Sequence, residues 1–221
     1  RSLPIFLWTE MWGDFCKIFF APFPGRTRGK TVARKESEPV RIIAGEAGGR
    51  RLCTPAVEMR PTMDRVRGAI FSSLGDAVPG ARILDLFAGS GAMGIEALSR
   101  GAGSAVFVDS HPVCTACVKA NLRTIGFEGS VQTMEALKFL ELYAEDGFDL
   151  IFADPPYATD RDGPDPALDI LAAPALAAAL RSTGTLVLER RARGANPLVS
   201  AFSLLRSRRY GKSAVDFYTL P

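Results

Sequence analysis

The sequence predicts an α/β fold, a mostly parallel sheet covered by helices on both faces. Three observations predict it. Short apolar runs suited to strands recur at 82–87, 104–108, 130–134, 148–153 and 184–188. Helical stretches near 92–100, 112–125, 135–143 and 166–181 lie between them. The 221 residues are 47% hydrophobic and 23% charged, enough apolar material for one core and a small appendage.

The same composition excludes a wholly disordered chain. No run approaches the roughly 18 apolar residues of a spanning helix, so no membrane span is expected. Four cysteines do not make a disulfide scaffold, and a reducing cytoplasm is the expected setting.

Taken in order, the chain begins with Arg1, and its first methionine is Met11. Residues 1–25 hold two apolar clusters, around Ile5–Trp8 and Ile18–Phe20, with charges between them. They lack the basic start and unbroken apolar stretch of a secretory signal, and no function is assigned to them. Residues 26–40 are polar, basic and Pro/Gly-containing, a linker or arm. R-I-I-A-G from Arg41 and G-G-R-R-L from Gly48 read as two short strands around a Gly-rich turn. Arg60-Pro61-Thr62 then opens a helix with Thr62 as N-cap and Val66, Ala69, Ile70 and Leu74 as its apolar stripe. The β-α alternation follows. Runs at 201–205 and 214–220 could pair as a hairpin on the sheet edge.

Charge is laid out unevenly along these elements. Residues 1–25 balance at zero, 26–67 carry +6, 68–180 carry −9 and 181–221 carry +6. Two basic ends flanking an acidic middle suit a chain that grips a polyanion at its ends and does chemistry between them, although solvated surface charge gives the same count.

The chemistry-bearing motifs stand at strand ends, where open α/β sheets bind their ligands. Asp85-Leu86-Phe87-Ala88-Gly89-Ser90-Gly91 ends the first strand. Its glycines allow a tight turn and close backbone approach, and the preceding acid suits a cationic or hydroxyl-rich ligand better than a phosphate. Asp109 ends the second strand, placed to take both hydroxyls of a ribose or to cap a turn. Glu135 follows the third, either reaching an adenine amine or acting as a first-turn helix acid. Asp154-Pro155-Pro156-Tyr157 follows the fourth. Two prolines hold the backbone extended with carbonyls outward, Asp154 adds an acceptor and Tyr157 a stacking surface. Such a site fits a planar substrate with an exocyclic amine.

Asp85–Gly91, the acid downstream and D-P-P-Y together resemble a class I S-adenosylmethionine-dependent N-methyltransferase. R-I-I-A-G, G-G-R-R-L, R-P-T-M-D-R-V-R and Tyr210-Gly211-Lys212 narrow the resemblance to the RsmD family, which methylates guanine N2 in bacterial small-subunit ribosomal RNA. It covers about 41–221. The resemblance implies a Rossmann-like doubly wound sheet with a C-terminal antiparallel hairpin and a small basic N-terminal β-hairpin extension. The expected organisation is an unmatched stretch 1–40, an RNA-contacting hairpin and helix at 41–75, and a methyltransferase domain at 76–221.

It also implies S-adenosylmethionine as cofactor. Asp85, Phe87, Ala88, Gly89, Ser90 and Gly91 would wrap its methionine part and Asp109 its ribose. Glu135 stands where the family usually shows Asp, so its adenine contact is the least secured of the set. Asp154, Pro155, Pro156 and Tyr157 would position the target amine. Arg41, Arg50, Arg51, Arg60, Arg65 and Arg67 would hold the RNA backbone. The expected partner is small-subunit RNA in a partly or fully assembled 30S particle, met by a monomer without a metal.

Weaker signals point elsewhere. Cys114 and Cys117 form C-x-x-C without a second pair, and read as buried thiols on a helix rather than a zinc or redox site. His111, the one histidine, has no triad partners. Two other functions stay open: an N-methyltransferase acting on DNA adenine or a protein amide, and a non-catalytic RNA-binding assembly factor that keeps the fold.

Overall fold

The structure is a computed structural model, and it describes residues 40–55, 64–143, 147–156, 165–192, 197 and 199–221. Five strands, β1 (Arg82–Leu86), β2 (Ser104–Asp109), β3 (Ser130–Thr133), β4 (Phe148–Ala153) and β5 (Leu180–Arg191), pair in parallel. β6 (Ser203–Tyr210) and β7 (Ser213–Thr219) complete a seven-stranded sheet in the order β3-β2-β1-β4-β5-β7-β6. β7 is antiparallel to both β5 and β6. The central strands are apolar on both faces, as a doubly covered sheet requires: Ile83, Leu84 and Leu86 of β1 are all buried.

Helices α1 (Asp64–Leu74), α2 (Ala92–Ser99) and α3 (Pro112–Ile125) cover one face. Ile70 and Phe71 of α1, Ile95 of α2 and Val118 of α3 pack there with Ile83, Phe107 and Phe152. The other face is covered by α4 (Ala136–Leu142), α5 (Pro166–Ala172) and α6 (Pro174–Ala179). Phe139, Ile170 and Leu176 pack there with Leu84, Val108 and Ile151. β1 neighbours β2 on one side and β4 on the other, so chain direction across the sheet reverses between β1 and β4. That switch point leaves a crevice at the carboxyl ends of the strands.

Several expectations change in detail. The helix expected over 166–181 is two helices, because Pro174 cannot continue the first and forces Ala173 to ψ 119°. The fifth strand begins at Leu180 rather than 184, with a register shift opposite Phe148 and Leu150 absorbing the extra residues. The N-terminal hairpin is slighter than two strands. It has one bridge, Arg41 to Arg51, supported by Ile42 N–H to Arg50 O and Leu52 N–H to Val40 O. Arg60 and the cap expected at Thr62 lie outside the described residues. No described helix is long and apolar enough to cross a membrane.

Candidate active site

The Gly-rich segment turns tightly between β1 and α2. Phe87 at the end of β1 takes φ 61°, and Gly89 and Gly91 take φ 57° and 78°. Positive φ suits glycine and is uncommon for a residue such as Phe87, which the buried ends of β1 and β2 hold in place. Ala88 N–H donates to Val108 O at 3.0 Å, and Gly91 N–H donates to Ala88 O at 2.7 Å.

Two acids brace this turn. Asp85 Oδ2 accepts from Gly94 N–H in the first turn of α2 at 2.9 Å. Asp109 Oδ2 accepts from Gly89 N–H, and its Oδ1 from His111 N–H, each at 2.8 Å. A carboxylate offers about four lone-pair positions, so Asp109 retains capacity for hydroxyl donors beyond these two bonds. Its turn-bracing role and a ribose-holding role are therefore compatible. His111 caps α3, its Nδ1 accepting from Val113 N–H at 3.3 Å.

Asp85 is buried, and burial pushes its carboxyl up to about 8; the Gly94 hydrogen bond opposes that shift, and the negative charges of Asp154 and Asp109 add to it. Three carboxyl groups from β1, β2 and the end of β4 thus share one field at the carboxyl edge. Such a field favours a positively charged ligand and disfavours a phosphate. The residues present therefore fit the sulfonium and amino groups of S-adenosylmethionine.

Asp154 is half-buried, Pro155 is buried and Pro156 is exposed. They leave β4 directly after Ala153, which lies between Leu86 of β1 and Leu188 of β5. Tyr157 lies outside the described residues. Glu135 is exposed as the N-cap of α4 and makes no side-chain cap bond there. A separate open groove of about 910 Å³ runs past Arg82, Ser104 and Ser130 at the strands' amino ends, away from these acids.

The arginines expected to hold RNA fare differently. Arg51 and Arg65 are exposed. Arg41 is exposed and donates from Nε to Asp64 at 3.1 Å. Arg50 is exposed but donates to the Thr124 and Ile125 carbonyls, capping the C-terminus of α3. Arg67 corrects the expectation. Only 1% exposed, it lies on the buried stripe of α1, donates to Arg41 O and Asp64, and sits 3.7 Å from Glu96. It cannot reach an RNA backbone.

Sequence reasoning missed the residues that hold residues 40–53 against the site. Glu96, wholly buried, accepts from Ile43 N–H at 2.7 Å, Ala44 N–H at 3.1 Å and Arg100 Nε at 2.7 Å. Ser99 Oγ donates to Ala44 O and accepts from Ala47 N–H. Asn121 donates to Ser90 O at 2.9 Å and Cys53 O at 3.0 Å, and accepts from Cys53 N–H at 2.8 Å. It joins the Gly-rich turn to the N-terminal arm directly. A signal existed: Glu96 is the one charged residue in the apolar helix A-M-G-I-E-A-L-S, and Asn121 sits on the apolar stripe of α3.

Of the C-x-x-C pair, Cys114 is buried and Cys117 half-buried on α3. Burial and the neighbouring Asp109 push the Cys114 thiol up to about 11, so it stays protonated and is a poor metal ligand or nucleophile. No group of three or more metal-ligating side chains occurs among the described residues.

A family described as conserved hypothetical protein 95 matches residues 40–219. The Bacillus subtilis protein YlbH, provisionally named as an rRNA methyltransferase, is 44% identical over 123 residues. That match spans 53% of this chain and 67% of the relative. Ribosomal RNA small subunit methyltransferase D of Escherichia coli is 38% identical over 125 residues, 55% of this chain and 62% of that protein. A solved Escherichia coli structure, provisionally titled methyltransferase yhhF, superposes with a TM-score of 0.71 at 31% identity. It is covered over 97% of its length by 82% of this chain.

Proposed function

We propose that this chain, which belongs to the conserved hypothetical protein 95 family, transfers a methyl group from S-adenosylmethionine to the exocyclic N2 of a guanine in small-subunit ribosomal RNA. The observation that carries the reading is the convergence of Asp85, Asp109 and Asp154 beside a tight Gly-rich turn. The names of the curated relatives supply the class of acceptor.

When bound, S-adenosylmethionine supplies an electrophilic methyl on a cationic sulfur. The chain's own work is mostly positioning. Asp85 offers a carboxyl to positive charge, and Asp109 offers its remaining lone pairs to hydroxyls. The guanine amine is a weak nucleophile because its lone pair is delocalised into the ring. Asp154 accepts one of its N–H groups, turns the lone pair toward the methyl and stabilises the positive charge that grows on nitrogen as the N–C bond forms, the S–C bond breaks to leave a neutral thioether, and the surplus proton passes from nitrogen to solvent. The Pro155 carbonyl serves as the second acceptor. The base has to leave its stack to arrive there, and Tyr157 is its expected stacking partner.

One chain supplies all three acids, so a monomer suffices for the chemistry. The exposed Arg41, Arg51 and Arg65 suit phosphate contacts. With so little surface to read sequence, recognition rests on RNA shape in a partly or fully assembled 30S particle, in the cytoplasm.

The test is transfer of labelled methyl to protein-depleted small-subunit RNA, assembled subunits and duplex DNA, followed by nucleoside analysis. N2-methylguanosine is expected from RNA or subunits, whereas N6-methyladenine in DNA would overturn the assignment. Asp154→Ala is expected to lower transfer at least about a hundredfold while RNA binding persists. Survival of activity in that variant would remove Asp154 from the site.

A further inference from the structure

Residues 181–221 hold eight lysines and arginines against two acids, and the fold decides which of those charges face outward. Asp216 is wholly buried, bonded by Arg190 Nε and Ser207 Oγ at 2.5 Å each. Arg181 pairs with Asp149 at 2.9 Å. On β6 the pattern is the reverse. Arg206, Arg208 and Arg209, with Lys212 in the following turn, are exposed, and none pairs with a carboxylate of a described residue.

Register places these charges relative to the site. Ala153 of β4 is level with Leu188 of β5, Leu188 with Asp216 of β7, and Asp216 with Ser207 of β6. β6 runs parallel to β5, because both lie antiparallel to β7 between them. Residues 208–212 therefore continue past that row on the side where Asp154, Pro155 and Pro156 leave β4. Ala192 N–H donates to Lys212 O at 2.9 Å, which fastens the tip to the end of β5. Three strand spacings separate the tip from the Asp154 row, about 14 Å laterally. That is a few nucleotides along an RNA strand whose target base occupies the site.

We infer that the tip of the β6–β7 hairpin, carrying Arg208, Arg209 and Lys212, is a second RNA anchor that clamps the phosphates flanking the target base. The inference rests on the RNA reading of the preceding section. An anchor at this distance holds the strand without competing for the pocket, and its two arginines are built on a paired strand, not on a loose tail. Phosphate contacts of this kind position a substrate and carry no sequence information.

The test compares three forms of the whole chain: the parent, Arg208→Gln/Arg209→Gln/Lys212→Gln, and a charge-matched control, Lys119→Gln/Arg123→Gln/Lys138→Gln. Binding to a small-subunit RNA transcript is measured across a salt series, with thermal melting and sedimentation of each form. The hairpin variant is expected to bind about tenfold or more weakly, with a salt slope shallower by about 2, as loss of two to three phosphate contacts requires. The control is expected to bind and to respond to salt as the parent does. Equal losses in the two variants would reduce the effect to net charge and overturn the inference. Parent-like RNA binding by the hairpin variant would overturn it too, and if that variant also self-associated, the arginines would be guards of an open sheet edge. No RNA binding by the parent would overturn the functional reading itself, together with this one.

Discussion

The N-terminal segment 40–55 with α1 and the C-terminal hairpin are both rich in arginine, yet the fold engages three of the five described arginines of the first and pairs none of those on β6 with a described carboxylate. In the arm and α1, Arg67 is buried against Asp64 and Glu96, Arg50 caps α3 and Arg41 reaches Asp64. On β6 the arginines face solvent along an edge strand. The arm is attached by side chains that seize its backbone, the hairpin by a continuous main-chain ladder. Equal segment charge therefore conceals different uses: Arg41, Arg50 and Arg67 help assemble the protein while Arg51 and Arg65 stay exposed, and the arginines of β6 all remain available to a partner. Burial and pairing decide between the two uses.

Breaking the arm's attachment should produce the largest effect. Glu96→Ala strips partners from Ile43 N–H, Ala44 N–H, Arg67 and Arg100, and about 3–5 kcal/mol of stability should go with them. Denaturant unfolding measures this; a loss below about 1 kcal/mol would mean the arm is held by its apolar residues alone. No exposed arginine of β6 should matter a fifth as much to folding.

The acid beneath the Gly-rich turn should behave in the opposite sense. With its carboxyl raised to about 8 by burial, Asp85 keeps its proton in the folded state while the unfolded chain ionises near 3.8. Stability should thus fall as pH rises from about 4 to 8, because the unfolded state loses the proton first. Asp85→Asn should match the parent near pH 4 and exceed its stability by a few kcal/mol at pH 9. The same variant should lose cofactor affinity, and the parent's rise in cofactor affinity through pH 8 should flatten. Parallel stability curves for the two proteins would show that Asp85 is not perturbed by burial.

Asn121 connects arm to turn, so Asn121→Ala should cost about 1–3 kcal/mol by orphaning the backbone of Cys53 and also raise the KM for S-adenosylmethionine. Unchanged KM with lowered stability would make the residue a support for the arm only. The smallest effect belongs to Arg51→Gln, a few-fold loss of RNA affinity with a salt slope reduced by about 1 and no change in melting. Arg67→Gln should show the reverse, a melting loss with an unchanged slope.

Much of this architecture is legible in the residues. β1, β2 and β4 are largely apolar runs, and the turns after β1 and β4 carry D-L-F-A-G-S-G and D-P-P-Y, because a parallel sheet advertises buried strands and functional loops locally. What escapes local reading is contact at long range. Glu96 to Ile43 and Asn121 to Cys53 span 53 and 68 residues; helical periodicity marks Glu96 and Asn121 as buried polar residues but does not name the partner of either. The fate of Arg67 illustrates the same limit. The arginines of R-P-T-M-D-R-V-R look equivalent in sequence, but helical spacing from Val66 and Ile70 places Arg67 inward and Arg65 outward. The break at Pro174 was visible as a residue yet masked by the surrounding alanines and leucines, which favour helix on either side of it.

The strand order has a consequence for how the protein comes into being. β6 precedes β7 in the chain, but β7 lies inside it, between β5 and β6. During synthesis β6 therefore emerges before the strand that ties it to the sheet, and its arginines travel on an unpaired segment until Ser213–Thr219 follows. The short turn through Gly211, at φ 62°, lets the two strands zip locally within about 1–10 μs. Paired in this way, they are expected to add to β5 together. The surface inferred to clamp the RNA strand is thus the last part of the sheet to be made, and it is delivered whole.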